Sequence, residues 1–317
     1  MDEPGAEPLL HEHVFLGVHH DRNARKTRAV TWLCAATMAA EIAGGAWFNS
    51  LAVMADGVHM GTHVAALAIA AFAYSYASRH VRDPNFAFGT GKVGDLAAFA
   101  SAIALALVAL VVAGESVDHL LRPQSIEFRL AILLAALGLA VNIVSARMLR
   151  EDHSHRHVHD HDPDHDHGHG AAHRHGHDHR DPNLRAAYIH IMADAAVSVL
   201  ALIGLATGLL LGWIWMDAAM GLVGAAVIAN WSWGLVRASG SVLLDRRPNL
   251  NLEAEMRSRL EQGGERVVDL HVWRVGPGHV AAAVTLVCAQ PQPPDYYKRR
   301  LAGLDQLSHV TIEVAPA

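Results

Sequence analysis

Residues 96–114 read LAAFASAIALALVALVVAG, a run without one charged side chain. As a helix this run rises about 28 Å, close to the ~30 Å hydrocarbon core of a bilayer. In water it would present an apolar cylinder with nothing to cover it. In lipid the helix satisfies its own backbone groups and is stable as it stands. The run reads as a membrane span, and five further stretches share its character: 29–47, 51–78, 130–149, 184–211 and 213–236, the first run extending to 96–118. The fold expected over residues 29–246 is therefore a membrane all-α bundle of six transmembrane helices.

The flanks orient the bundle. Arg22, Arg25, Lys26 and Arg28 precede the first span, and Arg79, Arg82 and Lys92, then Arg147 and Arg150, then Arg237, Arg246 and Arg247 follow or end the second, fourth and sixth, while the opposite loops hold Arg122 and Arg129. Basic loops stay inside, so both termini are expected in the cytoplasm of a multi-pass protein of the bacterial inner membrane. Residues 1–28 are polar, show no apolar core of a secretory signal, and are expected to be a cytoplasmic segment. The overall composition, 52% hydrophobic and 18% charged, excludes a disordered chain. Two cysteines, Cys34 and Cys288, give no disulfide framework, and nothing points to nucleic acid.

After Pro248 the periodicity changes. Residues 251–262 read as an amphipathic helix, 266–275 and 279–288 as strands joined at Gly276-Pro277-Gly278, 294–304 as a second helix and 309–314 as a last strand. Residues 247–317 are thus expected to form a small cytoplasmic α+β domain of open-sandwich, ferredoxin-like or metallochaperone-like type.

Histidine is the compositional outlier, with 24 copies. Twelve lie within residues 151–180, the loop between the fourth and fifth spans: His153, His155, His157, His159, His161, His165, His167, His169, His173, His175, His177 and His179. Such a segment cannot bury a core, but clustered imidazoles bind late first-row metals. A loop that raises local cation concentration in a modulatory role is the expectation. His11, His13, His19 and His20 are candidates for a similar role.

A second group of histidines lies inside the spans. Span two carries Asp56, His59 and His63, and span five carries His190 and Asp194. Residues four apart share one helix face, so His59 with His63, and His190 with Asp194, form two ligand pairs able to meet at one centre. Polar residues also tie membrane helices together by hydrogen bonding. Two matched pairs of ionisable groups in a membrane favour function instead, and three imidazoles with one carboxylate suit Co²⁺, Ni²⁺ or Zn²⁺ over Mg²⁺ or Ca²⁺. Asp56, one turn before His59, is a candidate to orient the His59 ring. No His-Glu-x-x-His pattern is present, so an intramembrane metalloprotease lacks its general base and the chain is not expected to be an enzyme.

These features together resemble the cation diffusion facilitator family. The resemblance rests on the paired ligands, on NSLAVMAD at 49–56 and FGTGK at 88–92, and runs from Thr27 onward. Within the family the chain looks most similar to the DmeF-type cobalt and nickel exporters, through HEHVFLG at 11–17, DPNLRAAY at 181–188 and DLHVWRVGPGH at 269–279. Zinc carriers of the family usually have Asp where His63 stands. The family's loop site is poorly matched, with Phe86 and Thr90 beside Asp83, and its soluble-domain site is replaced by Val268, Val284, Glu313 and Ala315. The resemblance also implies a structural pairing of Lys92 with Asp245 and a homodimer formed through the C-terminal domain.

The function expected is efflux of divalent transition-metal cations, Co²⁺ or Ni²⁺ with Zn²⁺ within range, by proton-coupled antiport and alternating access. The partners are the ions and the lipid bilayer, with no cofactor beyond the transported metal and the counter-moving protons. The competing reading is a membrane-bound metal sensor or storage protein that works through the histidine loop.

Overall fold

The computed structural model describes residues 14–17, 19–47, 51–122, 127–150, 181–248 and 250–317, and for residues 45 and 51–59 the course of the backbone alone. The histidine loop, His11 and His13 fall outside the described residues.

Six long helices come first: α1 (His20–Trp47), α2 (Leu51–Arg79), α3 (Val93–Leu121), α4 (Phe128–Leu149), α5 (Pro182–Leu211) and α6 (Trp215–Leu243). Five stretches are long and apolar enough to cross a membrane: Met60–Arg79, Val93–Leu121, Phe128–Leu149, Pro182–Leu211 and Trp215–Leu243. α1 falls short of the six-span expectation on this measure. Its first turns hold Arg22, Arg25, Lys26 and Arg28, and Glu41 sits buried further along it.

The helices pack through small residues, as spans must when lipid is as apolar as leucine. Ala98 and Ala102 of α3, Ala186 of α5 and Leu235 of α6 form one buried cluster. A methyl group on Gly204 of α5 would lie 2.6 Å from Cα of Asp217 on α6, so this approach is closed to any larger residue. Leu107, Leu110, Val111 and Leu210 point outward, exposed, where acyl chains cover them.

The C-terminal part continues with α7 (Leu250–Leu260), β1 (Arg266–Gly276), β2 (His279–Cys288), α8 (Pro294–Arg300) and β3 (Leu307–Pro316). β1 and β2 pair antiparallel through the Gly276–His279 turn, and β2 and β3 pair parallel. Parallel strands need a crossover, which α8 provides. The helix is four residues shorter than the pattern over 294–304 suggests, because the chain leaves it through Gly303, whose φ of 85° is left-handed. Met256 and Leu260 of α7, Tyr297 of α8, and Leu270 and Leu286 of the sheet fill the core of this small sheet domain.

The two parts meet at one end of the bundle. Phe88, in the loop between α2 and α3, stacks edge-on against Trp273 of β1 at 5.7 Å. Phe15, 3% exposed, packs with Val275 and Ala281. Gly91 lies against the Val275 carbonyl, and a Cβ there would also sit 2.8 Å from the Phe15 carbonyl oxygen. The Lys92 ammonium meets the Asp245 carboxylate, where the chain leaves α6 with Asp245 itself in left-handed conformation (φ 53°).

Candidate metal centre

α5 starts at a strong signal. The Asp181 carboxylate accepts hydrogen bonds from the backbone N–H groups of Asn183 and Leu184, and Pro182 opens the first turn with no N–H to lose. The same carboxylate accepts from Asn23 Nδ2 of α1 at 2.9 Å and from the Tyr74 hydroxyl of α2. Next door, Asn183 Nδ2 donates to the Ala70 carbonyl of α2 at 2.8 Å. Three helices are thereby pinned together two turns above His190. Around these bonds Leu67 and Ala70 of α2, Leu184, Ala187 and Ile191 of α5 and Val30 of α1 are buried. The rotation of α5 against α2 is therefore set by contacts next to the centre.

With that rotation set, His63, His190 and Asp194 converge. Their ligating atoms all lie within 4.8 Å of one another, and all three residues are buried. His63 Nδ1 is 2.6 Å from Asp194 Oδ2 and 3.3 Å from His190 Nε2, and His190 Nε2 is 3.7 Å from Asp194 Oδ2. The imidazole rings stand nearly edge-to-face, with 68° between their planes. Ligands at the 2.0–2.1 Å of zinc–nitrogen bonds stand about 3.3 Å apart on a tetrahedron. Two of the three separations are already near that value. The third, 2.6 Å between Nδ1 of His63 and Oδ2 of Asp194, is at hydrogen-bond distance.

The other sequence candidates distribute as follows. His59 lies on α2 one turn before His63 and Asp56 nearly one turn earlier, but both side chains fall outside the described residues. His20 turns away from the centre: its Nε2 is 2.8 Å from the Ser78 hydroxyl and 3.2 Å from the Tyr74 carbonyl. His271 is exposed beside Asp269 at 3.0 Å, and His279 Nδ1 is 2.8 Å from the Ser308 hydroxyl. Among the described residues, no second cluster of three metal-ligating side chains accompanies the one between α2 and α5. Sequence reading passed over Asp181 and Asn183 as pinning residues, although Asp-Pro before an apolar run is a helix-start signal.

A family model for the cation efflux transmembrane domain matches residues 27–244, more than two thirds of the chain. The protein belongs to the cation efflux family. It is accordingly a multi-pass membrane transporter of cations. The matched segment runs from α1 to the end of α6 and holds all three converging ligands.

Cation efflux relatives extend the likeness past the bundle. The chain is 30% identical to the cation efflux system protein CzcD of Alcaligenes sp. (strain CT14), over 94% of this chain and 89% of that protein. It is 28% identical to the zinc transporter ZitB of Escherichia coli (strain K12), over 96% of this chain and 88% of ZitB. With the cadmium, cobalt and zinc/H(+)-K(+) antiporter of Bacillus subtilis (strain 168) it shares 24% identity, over 83% and 78% of the two chains.

Proposed function

We propose that this cation efflux protein exports late first-row divalent metals, Co²⁺ and Ni²⁺ foremost with Zn²⁺ in range, through a site of His59, His63, His190 and Asp194. The observation that carries the reading is the convergence of His63, His190 and Asp194 on two spans that the sequence places far apart. The relatives' names support the metal class, since zinc and cobalt appear among them. Nickel rests on ligand chemistry: three imidazoles and one carboxylate suit the later, softer ions of the row.

Proton exchange follows from the same atoms. Imidazole and carboxylate bind metal only through lone pairs that a proton also claims. A proton on these ligands occupies the lone pairs that a metal takes, so one displaces the other. Facing the cytoplasm the ligands release protons and capture the ion; facing a more acidic exterior they take protons back and release it. Imidazole, with an ordinary pKa of about 6.5, suits this range. Movement of the bundle about a site near mid-membrane supplies alternating access. α1 serves as the sixth span in this scheme. It is about 42 Å long, packs mainly along α2, and exposes Trp32 and Trp47. Both termini then lie in the cytoplasm of a bacterial inner membrane. The C-terminal sheet domain, read as ferredoxin-like, joins two copies into a homodimer, and Lys92 with Asp245 braces it against the bundle.

The test is metal flux into proteoliposomes under an imposed pH gradient, with Co²⁺, Ni²⁺, Zn²⁺ and Mn²⁺ in parallel. Wild-type protein moves the first three and collapses the gradient as it does so. His190→Ala and Asp194→Ala stop both fluxes, by more than about a hundredfold. Proton-coupled uptake by either purified variant at the wild-type rate overturns the site.

A further inference from the structure

A cavity of about 590 Å³ opens where the bundle meets the C-terminal domain, between α3, α5, α6 and β1. Four guanidiniums line it: Arg185 from the first turn of α5, Arg246 and Arg247 from the segment after α6, and Arg274 from β1. One carboxylate opposes them, Asp95 of α3, which is 1% exposed and has no hydrogen-bond partner for Oδ2 among the described residues. Arg247 reaches Glu253 at 3.6 Å. Among the described residues, the side chains of Arg185, Arg246 and Arg274 make no ion pair.

We propose that this cavity holds the phosphate group of a phospholipid headgroup. Basic residues at span ends ordinarily fan out singly toward water and headgroups. Here they come from three separate elements of the fold and border one partly open cavity, which concentrates positive charge with Asp95 as the one carboxylate in its lining. Guanidinium pairs with phosphate oxygens in two-point hydrogen bonds, so convergent arginines favour phosphate over a simple halide.

The position selects a lipid over a soluble phosphate. Pro182 and Asp95 lie at the starts of the α5 and α3 spans, and Val242 at the end of the α6 span, which is the level of headgroups. The lining continues down α6 to Ala238 and Leu235, about 12 Å from the helix end. A cavity with arginines at its mouth, and with Ser239 and Ser241 interleaved among Leu235, Ala238 and Val242 on its α6 wall, matches a polar headgroup and the glycerol end of its acyl chains. Basic pockets at span ends are a known form of lipid recognition in membrane proteins generally.

The experiment uses full-length, delipidated protein and native mass spectrometry, with add-back of phosphatidylethanolamine, phosphatidylglycerol, or diacylglycerol with the same chains. Both phospholipids are expected to give a retained adduct and diacylglycerol none. Arg185→Gln with Arg246→Gln weakens retention at least tenfold, the paired lysine variants keep part of it, and Arg129→Gln at the other end of the bundle leaves it unchanged. Where the glutamine pair does not assemble, Arg246→Gln alone on the exposed linker is expected to weaken retention at least threefold. Saturable binding of inorganic phosphate, without an arginine-dependent phospholipid adduct, overturns the lipid as occupant. Equal retention of diacylglycerol, or phospholipid retention indifferent to the arginines, overturns the site.

Discussion

His63 of α2 and Asp194 of α5 share a hydrogen bond of 2.6 Å between Nδ1 and Oδ2, at residues less than a tenth exposed. The bond joins two helices through the atoms best suited to hold a metal ion. A buried ionisable pair of this kind is costly in lipid and is retained where it works. The family of cation efflux transporters gives that work its direction.

His63→Asp puts a second carboxylate at the centre in place of an imidazole. The second carboxylate restores the ligand set that the resemblance gives to zinc carriers of the family, and so is expected to move the site toward zinc and away from cobalt and nickel. Relative flux of Zn²⁺ over Co²⁺ in proteoliposomes is expected to rise at least about threefold. A selectivity order identical to wild type contradicts the role given to His63.

Asp181→Ala removes the cap of α5 and the acceptor for Asn23 and Tyr74. The cap alone is worth about 0.5–2 kcal/mol, and leaving Asn23 and the Tyr74 hydroxyl without that acceptor adds to it. Thermal unfolding in detergent therefore shifts downward, while Asp181→Asn, which caps as well as aspartate, loses less. Equal melting of all three proteins would remove Asp181 from its pinning role.

Deleting residues 153–179 separates transporter from sensor. If the loop only concentrates cations, flux at saturating metal stays within about twofold of wild type and the half-saturating concentration rises. Abolished flux, with His190→Ala and Asp194→Ala still active, makes the loop the working part.

Acid stability of the C-terminal domain is expected to depend on Glu265. Burial favours its neutral form, but the backbone N–H groups of Glu265 and Gly263 and the Arg300 guanidinium outweigh that and hold its pKa below the usual range. The folded state thus prefers the carboxylate, so its contribution is complete above the ordinary glutamate value of about 4.3 and is lost as pH falls through the lower folded one. Hydrogen-exchange protection factors of β1 and β2, taken relative to the intrinsic rate at each pH, should fall on acidification in wild type, and less steeply in Glu265→Gln. Parallel acid profiles would show that Glu265 does not carry the effect.

Much of this protein is written in one dimension. A charge-free run such as 96–114 has one stable environment, and the i,i+4 spacing of His190 and Asp194 puts both on one helix face wherever the helix lies. The strands of the C-terminal domain are legible because Gly276-Pro277-Gly278 forces a turn between two β-branched runs. The status of α1 is less so: its basic first turns and Glu41 dilute an apolar pattern that its packing along α2 complements.

Local pattern alone determined which residues could ligate and which segments could enter a membrane, since both depend on side-chain type and helical period. The tertiary structure decided which of them meet. The rotation of α5 against α2, held by Asp181 and Asn183, brings His190 and Asp194 to His63 and leaves His20 bonded to Ser78 instead. The same holds for the arginines after α6 and on β1, which read as ordinary flanking charges until the fold closes them around one cavity. Spacing within a helix is a property of the chain, whereas contact between helices depends on packing and on caps that no single segment contains.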